Sequence, residues 1–250
     1  MISSNNKLRW VLVTGGSRGI GKGIVEHLCR SGYDVVFTYK NSPTQAEAIV
    51  DSLSNAGLVC QAVLCDGSDA SQVSHIVSEL IKKKGPPYGL VNNMGICQDV
   101  TLVNMEVAQW KSIISTNLDS VYHFSKQVAK AMISQQNGVI IQISSVSALH
   151  GISGQTHYAT SKAGMIGFTR ALAVEMSRFN VRVNAIAPGY IETELLEQLP
   201  QMRRDTLARS VPLRRIGTVA DLSGWVELLL SDLGSYMTGQ TLVVDGGLMA

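Results

Sequence analysis

Four cysteines, Cys29, Cys60, Cys65 and Cys97, are all that this chain of 250 residues contains, and no two form a C-x-x-C pair. That is too few for a disulfide framework in a chain this size, so reduced thiols and a cytoplasmic setting are expected. Excess charge is lacking too: 21 basic against 19 acidic residues leave a formal +2. Such a balance provides no broad field for nucleic acid or an anionic membrane, and Lys82, Lys83 and Lys84 read as a solvated helix end. Nowhere does an uninterrupted apolar run reach membrane-spanning length, and the polar start over 1–10 has no apolar leader segment. A soluble protein is expected. The five histidines, at 27, 75, 123, 150 and 157, show no metal-ligand spacing, so no metal site is expected. No low-complexity linker interrupts the chain, which reads as one domain over 1–250.

What is present centres on SVSALHGISGQTHYATSK, residues 145–162. Tyr158 and Lys162 lie four apart at the start of an apolar helical pattern, so both project from one helix face. A phenol titrates near 10, and a cation within several ångströms lowers that value by roughly 1–3 units, toward proton exchange at neutral pH. Ser145 directly follows the apolar run GVIIQIS, a buried strand, and its hydroxyl there suits a substrate oxygen. Near the other end of the chain, a strand over 8–14 runs into GGSRGIG and then a helical pattern over 22–29. Strand, glycine turn and helix form a phosphate-binding arrangement, with close backbone approach and unpaired N–H groups at the helix start. Gly15-Gly16-Ser17-Arg18-Gly19 also satisfies the G-x-S-x-G elbow of serine hydrolases. Only about ten residues precede it, too few for the strands that build an oxyanion hole, and His157 comes early for that triad.

The second strand, 33–38, ends without the acid that would accept the ribose hydroxyl of NAD and repel a 2′-phosphate. The chain reads Thr38-Tyr39-Lys40-Asn41-Ser42 there. A helix follows over 44–56, then a strand over 58–64. Asp69 is placed to cap a helix over Ala70–Lys84. A fourth strand over 89–92, a long helical region over 107–134, a sixth strand over 181–187, a last helix over 219–231 and a closing strand over 240–244 complete the pattern. The charged stretch within 188–215, interrupted by Pro200 and Pro212, is the candidate substrate lid.

Taken in order, T-G-x-x-x-G-x-G from Thr14 with Gly15, Gly19 and Gly21, N-N-x-G, Ser145 and Y-x-x-x-K resemble the short-chain dehydrogenases/reductases. The resemblance runs from about Leu8 to the last residues and is nearest the 3-oxoacyl-(acyl-carrier-protein) reductases. It implies a Rossmann-type, doubly wound parallel α/β sheet of seven strands, with the site at the strand C-terminal ends. It implies Tyr158 as general acid/base, Lys162 as its activator and ribose ligand, Ser145 as the carbonyl-orienting hydroxyl, and Asn117 as the fourth member. For NADPH it implies Gly15, Ser17, Arg18, Gly19, Ile20 and Gly21 around the phosphates, and Thr38, Tyr39 and Lys40 after the second strand. Asp66 and Gly67 would face adenine, Asn93 and Gly95 the fourth-strand turn. Pro188, Gly189, Ile191 and Thr193 would flank the nicotinamide. Met94 departs from the family's N-N-A-G, so either its side chain points elsewhere or the turn opens.

The reading is NADPH-dependent reduction of a 3-oxoacyl thioester, in fatty-acid or polyketide-like biosynthesis, by a homotetramer assembled through the helical regions and the Asp245-Gly246-Gly247 tail. Alternatives are a dehydrogenase of a free alcohol, sugar or steroid, and a nucleotide sensor without turnover. The carrier-binding bases of the nearest relatives are replaced by Gln136 and Phe179. A docking surface displaced toward Arg178, with Lys130 nearby, is therefore expected. His150, between Ser145 and Tyr158, is a candidate substrate contact, whereas His157 reads as structural.

Overall fold

The computed structural model describes residues 8–250, so the first seven residues of the polar start lie outside the described residues. Seven parallel strands form one sheet in the order β3-β2-β1-β4-β5-β6-β7. They are β1 (Trp10–Val13), β2 (Asp34–Tyr39), β3 (Cys60–Leu64), β4 (Gly89–Asn92), β5 (Gly138–Ile143), β6 (Val181–Pro188) and β7 (Thr241–Val244). The central strands β1, β4 and β5 are buried along their whole length, which their unbroken Val, Ile and Leu runs dictate for a sheet covered on both faces. Successive side chains alternate between the two faces. Val139 and Ile141 enter one core with Val13, Val35 and Phe37, while Ile140 enters the other with Leu12 and Val36.

Helices α1 (Gly19–Arg30), α2 (Pro43–Asn55) and α9 (Ala220–Leu230) cover the first face. The second is covered by α3 (Ala70–Lys84), α5 (Ser120–Gln135) and α6 (Thr156–Ser177). Asp69 caps α3 as expected, accepting from the backbone N–H groups of Ser71 and Gln72 at 2.9 and 3.1 Å.

The long helical region read over 107–134 is broken. Helix α4 (Val107–Ile114) passes through a π turn over Ser115–Asp119 before α5 begins. The extra residue in that turn carries Asn117 inward, to full burial. The expected lid is folded as well, into α7 (Glu194–Glu197) and α8 (Gln201–Ser210), tied to the segment after β6 by an Arg204–Glu192 ion pair. All four cysteines are free thiols. No helix among the described residues is long and apolar enough to cross a membrane, and none of their His, Cys, Asp and Glu side chains cluster as a metal site.

Candidate active site

Parallel strands bring every C-terminal end to one edge of the sheet, and there Ser145, Tyr158, Lys162 and Asn117 converge. Ser145 follows the end of β5, held by the Ser144 N–H donating to the Ile186 carbonyl at 2.7 Å. Tyr158 stands on the first turn of α6, its hydroxyl on the side of Ser145. One turn later Lys162 is only 3% exposed, its ammonium donating to the Ile143 carbonyl at 2.8 Å and lying 5.7 Å from the centre of the Tyr158 ring. Asn117 accepts from Ile96 N–H at 2.8 Å and donates to Ile96 C=O at 2.9 Å and to Ser161 Oγ at 3.2 Å. It thereby pins the turn after β4 to α6. Gly95 lies in that turn, where a side-chain carbon would stand 3.4 Å from Asn117 Oδ1 and 3.5 Å from Lys162 Nζ.

The charge balance differs from the sequence expectation. Burial pushes the Tyr158 phenol up to about 12, with Cys97 adding to the rise, while burial pulls Lys162 down to about 8. The ammonium is spent on the Ile143 carbonyl rather than on the phenol. The expected lowering of the tyrosine is therefore absent from this arrangement. Desolvation favours both neutral forms.

The glycine turn lies beside this centre and is stitched to it. Thr14 Oγ1 accepts from the backbone N–H of Asn93 and Met94 at 3.0 and 3.1 Å, and Asn93 Nδ2 donates to the carbonyls of Thr14 and Gly15 at 3.0 and 3.1 Å. Asn93 thus braces the turn. Thr38 does likewise from β2, its hydroxyl accepting from Gly15 N–H at 3.2 Å and its carbonyl from Gly16 N–H at 2.9 Å. The departure at Met94 is absorbed without opening the turn. Its backbone stays so near Gly15 that a side-chain carbon there would lie 2.9 Å from Met94 Cα, and its thioether turns to Gly67 and Phe124.

Whether these residues suit a dinucleotide is tested by an anion already in place. The Glu194 carboxylate, from the start of α7, accepts from Gly19 N–H at 3.1 Å, at the first turn of α1. Gly19 has a φ of +52°, which L side chains rarely adopt, and its open side faces Thr193 Cγ2 at 3.4 Å. An anionic oxygen and the Thr193 side chain therefore meet the helix start where the motif predicts phosphate. The fit holds.

Around it, Arg18 and Lys22 border a cleft of about 470 Å³ with Ser17, Asn41, Ser42 and Glu194. Ser17 and Ser42 hydroxyls bond at 2.7 Å. Ile20 packs on the first core. Gly21 follows on α1, and Tyr39 receives Cys65 N–H at 2.8 Å. Asp66 accepts from Ser68 N–H and Oγ at 3.0 and 2.7 Å and pairs with Lys40 at 2.5 Å, which holds its carboxyl below the usual range against the opposing effect of burial. Lys40 is thus engaged by the adenine-side acid rather than waiting for a phosphate. The Gly67 carbonyl meets His123 Nδ1 at 3.0 Å. After β6, Gly189 N–H donates to Val244 C=O at 3.0 Å beside Pro188. Ile191 is buried in the first core, so close to Gly217 that a side-chain carbon there would stand 2.8 Å from Ile191 Cδ1.

Two readings move in space. Gln136 and Arg178–Phe179 flank the N-terminal ends of β5 and β6, with Asn180 Nδ2 donating to the Gln136 carbonyl at 3.2 Å. Six strand residues, roughly 20 Å, separate them from Ser145. Arg178 lies over the Phe179 ring at 4.7 Å, at the opposite edge from the centre it was expected to serve within its own chain. His157 is fully buried, in keeping with a structural role, and His150 is exposed. Sequence reasoning missed Glu194, and it missed Cys97, Asp99, Ser147 and Gln155, which join Ser145 through side-chain hydrogen bonds. Of these, Ser147, two residues after Ser145, and Gln155, three before Tyr158 at the α6 N-terminus, lie in the stretch where the sequence already placed the site.

The same fold recurs in solved structures, and the sequence is similar to known proteins. Residues 15–249 match the family described as Enoyl-(Acyl carrier protein) reductase. The 3-oxoacyl-(acyl-carrier-protein) reductase FabG of Chlamydia pneumoniae is 42% identical over 238 residues, 95% of this chain and 96% of that one. A crystal structure of gox2181 superposes with a TM-score of 0.93 at 31% identity, covering 97% of this chain and 96% of that chain. A Serratia marcescens short-chain dehydrogenase/reductase, solved as a double mutant, gives a TM-score of 0.91 at 30% identity over 97% of this chain and 98% of its own.

Proposed function

The chain belongs to the short-chain dehydrogenase/reductase family, and from that premise we propose that it reduces a carrier-bound 3-oxoacyl thioester to the 3-hydroxyacyl product, using NADPH. The observation that carries this reading is the Ser145–Tyr158 hydroxyl pair, with buried Lys162 behind it, beside a helix start that already holds a carboxylate. When bound, NADPH supplies the hydride to the carbonyl carbon. Ser145 turns its hydrogen from Ser147 to the carbonyl oxygen and orients it, and Tyr158 gives that oxygen its proton from the phenol. Lys162 stabilises the phenolate left behind once its ammonium is drawn from Ile143. The loop after Gly95, tied to α6 by Asn117, keeps these groups in one frame. Two hydroxyls converging on one oxygen suit a ketone better than a carbon–carbon double bond, although the family description names enoyl reduction. The test is NADPH absorbance loss with matched 3-oxoacyl and 2-enoyl thioesters. Turnover of the enoyl compound alone would overturn the reading.

Arg18 supports NADPH over NADH, together with the missing acid after β2. A charge-assisted phosphate contact contributes about 1.5–3 kcal/mol, roughly 10- to 150-fold. Wild-type kcat/KM is expected to favour NADPH by that order, and Arg18→Ala to narrow the gap. Equal values for the two cofactors in the wild type would refute it. Glu194 competes for the same helix start. Glu194→Gln removes an anion from the Gly19 N–H, so its NADPH dissociation constant, read by fluorescence titration, is expected to fall several-fold. A weaker complex would show instead that the carboxylate helps to bind.

Partners follow from the same reading. The acyl carrier protein is the expected donor of substrate, its acidic surface drawn to bases that include Arg178. Because Arg178 lies at the opposite sheet edge, carrier dependence is tested by comparing carrier-linked with free thioesters, with Arg178→Glu alongside. Half-exposed Trp110, Tyr122 and Trp225 and exposed Val174 and Tyr236 give the fold apolar faces suited to a homotetramer. Light scattering is expected to report four copies at micromolar concentration. A stable monomer would contradict this. A cytoplasmic location is inferred from the free thiols and the absence of a membrane-spanning helix among the described residues.

A further inference from the structure

A polar chain runs from Ser145 out to an acid that the reaction scheme does not use. Asp99 lies in the segment after β4, fastened to the loop before α6 by Val100 N–H donating to the Gly154 carbonyl at 2.8 Å. Its Oδ1 accepts from Gln155 Nε2 at 3.0 Å and from the Cys97 thiol at 3.4 Å. Gln155 Oε1 accepts from Ser147 Oγ at 2.9 Å. Ser147 Oγ in turn accepts from Ser145 Oγ at 3.2 Å, while the Ser147 N–H donates to Ser145 Oγ at 3.1 Å.

The direction of every link follows from the carboxylate. An ionised Asp99 only accepts, so the Gln155 amide must present its NH₂ to Asp99 and its carbonyl to Ser147. Ser147 must then donate its one hydrogen to Gln155, which leaves a lone pair for the Ser145 hydrogen. With that hydrogen spent, Ser145 meets Tyr158 as an acceptor, which turns a contact that lowers the phenol when Ser145 donates into one that holds its proton. A partner that accepts from the phenol favours the protonated phenol, and a nearby negative charge does the same. We infer that Asp99 is a positioning residue of the site, acting through Gln155, Ser147 and Ser145 to keep the Tyr158 proton in place until a substrate oxygen arrives to take it.

Of the other groups near the phenol, Lys162 opposes Asp99, whereas Cys97 acts in the same direction and donates to it. Lys162, on α6, is the opposing cation, and it is turned to Ile143. Cys97 and Asp99 approach from the segment after β4, and Ser145 from the end of β5. Cys97 itself is a neutral thiol: although it stands at an exposed rim, partial desolvation and the Asp99 carboxylate raise it to about 12. Asp99 therefore carries the negative charge on the substrate side. Replacing it with Asn removes that charge and also lets the amide chain reverse, so that Ser145 can donate to a phenolate. Both changes act in one direction.

The inference rests on the reading of Tyr158 as the acid, but its test does not need turnover. Protein carrying tyrosine labelled at the ring carbon that bears the hydroxyl is titrated by NMR, with Tyr158→Phe assigning the resonance. In Asp99→Asn the resonance is expected to begin moving at a pH about one unit below wild type. Asp99→Glu should restore the wild-type onset. Ser147→Ala, which cuts the relay but keeps the charge, should move the onset the same way by less, and it carries the test if Asp99→Asn fails to fold. An unchanged onset in Asp99→Asn, or in Ser147→Ala where that variant stands in, would overturn the inference. The kcat/KM profile for reduction should lose its alkaline limb earlier in the same variants. If the resonance shifts but no ketone is reduced, the relay stands and only the proposed reaction falls.

Discussion

Tyr158→Phe is expected to abolish nearly all reduction while cofactor affinity stays within a few-fold of wild type. The ring remains on the first turn of α6, so the packing around it survives. Only the transferable hydrogen and the contact with Ser145 are removed. General acid catalysis contributes roughly 10²–10⁴-fold, and the neighbouring Ser145 hydroxyl cannot replace it, since an aliphatic alcohol is a far weaker acid than a phenol. Steady-state turnover with a 3-oxoacyl thioester and fluorescence titration with NADPH separate the two effects. More than about a tenth of wild-type turnover would remove Tyr158 from the role of acid. An equal loss in both measurements would assign it to binding instead.

Much of this site was legible from sequence because its spacing is set by local structure. Four residues on a helix bring Tyr158 and Lys162 to one face, and a buried strand that is apolar but for Gln142 runs to the sheet edge where Ser145 emerges. The alternation of apolar strands with helices implies a parallel sheet, while the order of its strands was implied only by the family resemblance. The departures share one physical cause: contacts between segments remote in the chain. Asn117 enters the site through a π turn that no periodicity announces. The Asp99–Gln155 bond spans 56 positions, and Glu194 reaches Gly19 across 175. Lys40 looked available for a phosphate because its partner, Asp66, stands on the neighbouring strand's turn. Gln136 and Arg178 were misplaced for a related reason. Their distance from the centre depends on strand direction, which a motif match leaves out.

The titration of Lys162 underlies the other large effect. Lys162→Met is expected to cost turnover about as much as the loss of the Tyr158 hydroxyl, because this ammonium is the cation that lies behind the phenol to stabilise its anion. Folding should respond in the opposite sense. The ammonium is 3% exposed and its one bond is to a carbonyl, so burial lowers it from 10.5 to about 8. Between those two values the unfolded chain holds a proton that the folded chain has released. Wild-type stability therefore gains from this group as pH rises through that window, and at neutral pH the buried charge is a cost. Methionine keeps the stem and removes the charge, although it leaves the Ile143 carbonyl without its donor. The difference in unfolding free energy between Lys162→Met and wild type should thus shift in favour of wild type by the order of 3 kcal/mol from neutral pH to above about 10. Urea titrations at the two pH values measure it. Cofactor affinity should also fall in the variant, since the lysine is assigned to the ribose as well. A pH-independent difference would mean that Lys162 keeps its ordinary affinity for protons in the fold. Turnover above about a tenth of wild type would remove it from the mechanism, whatever its titration.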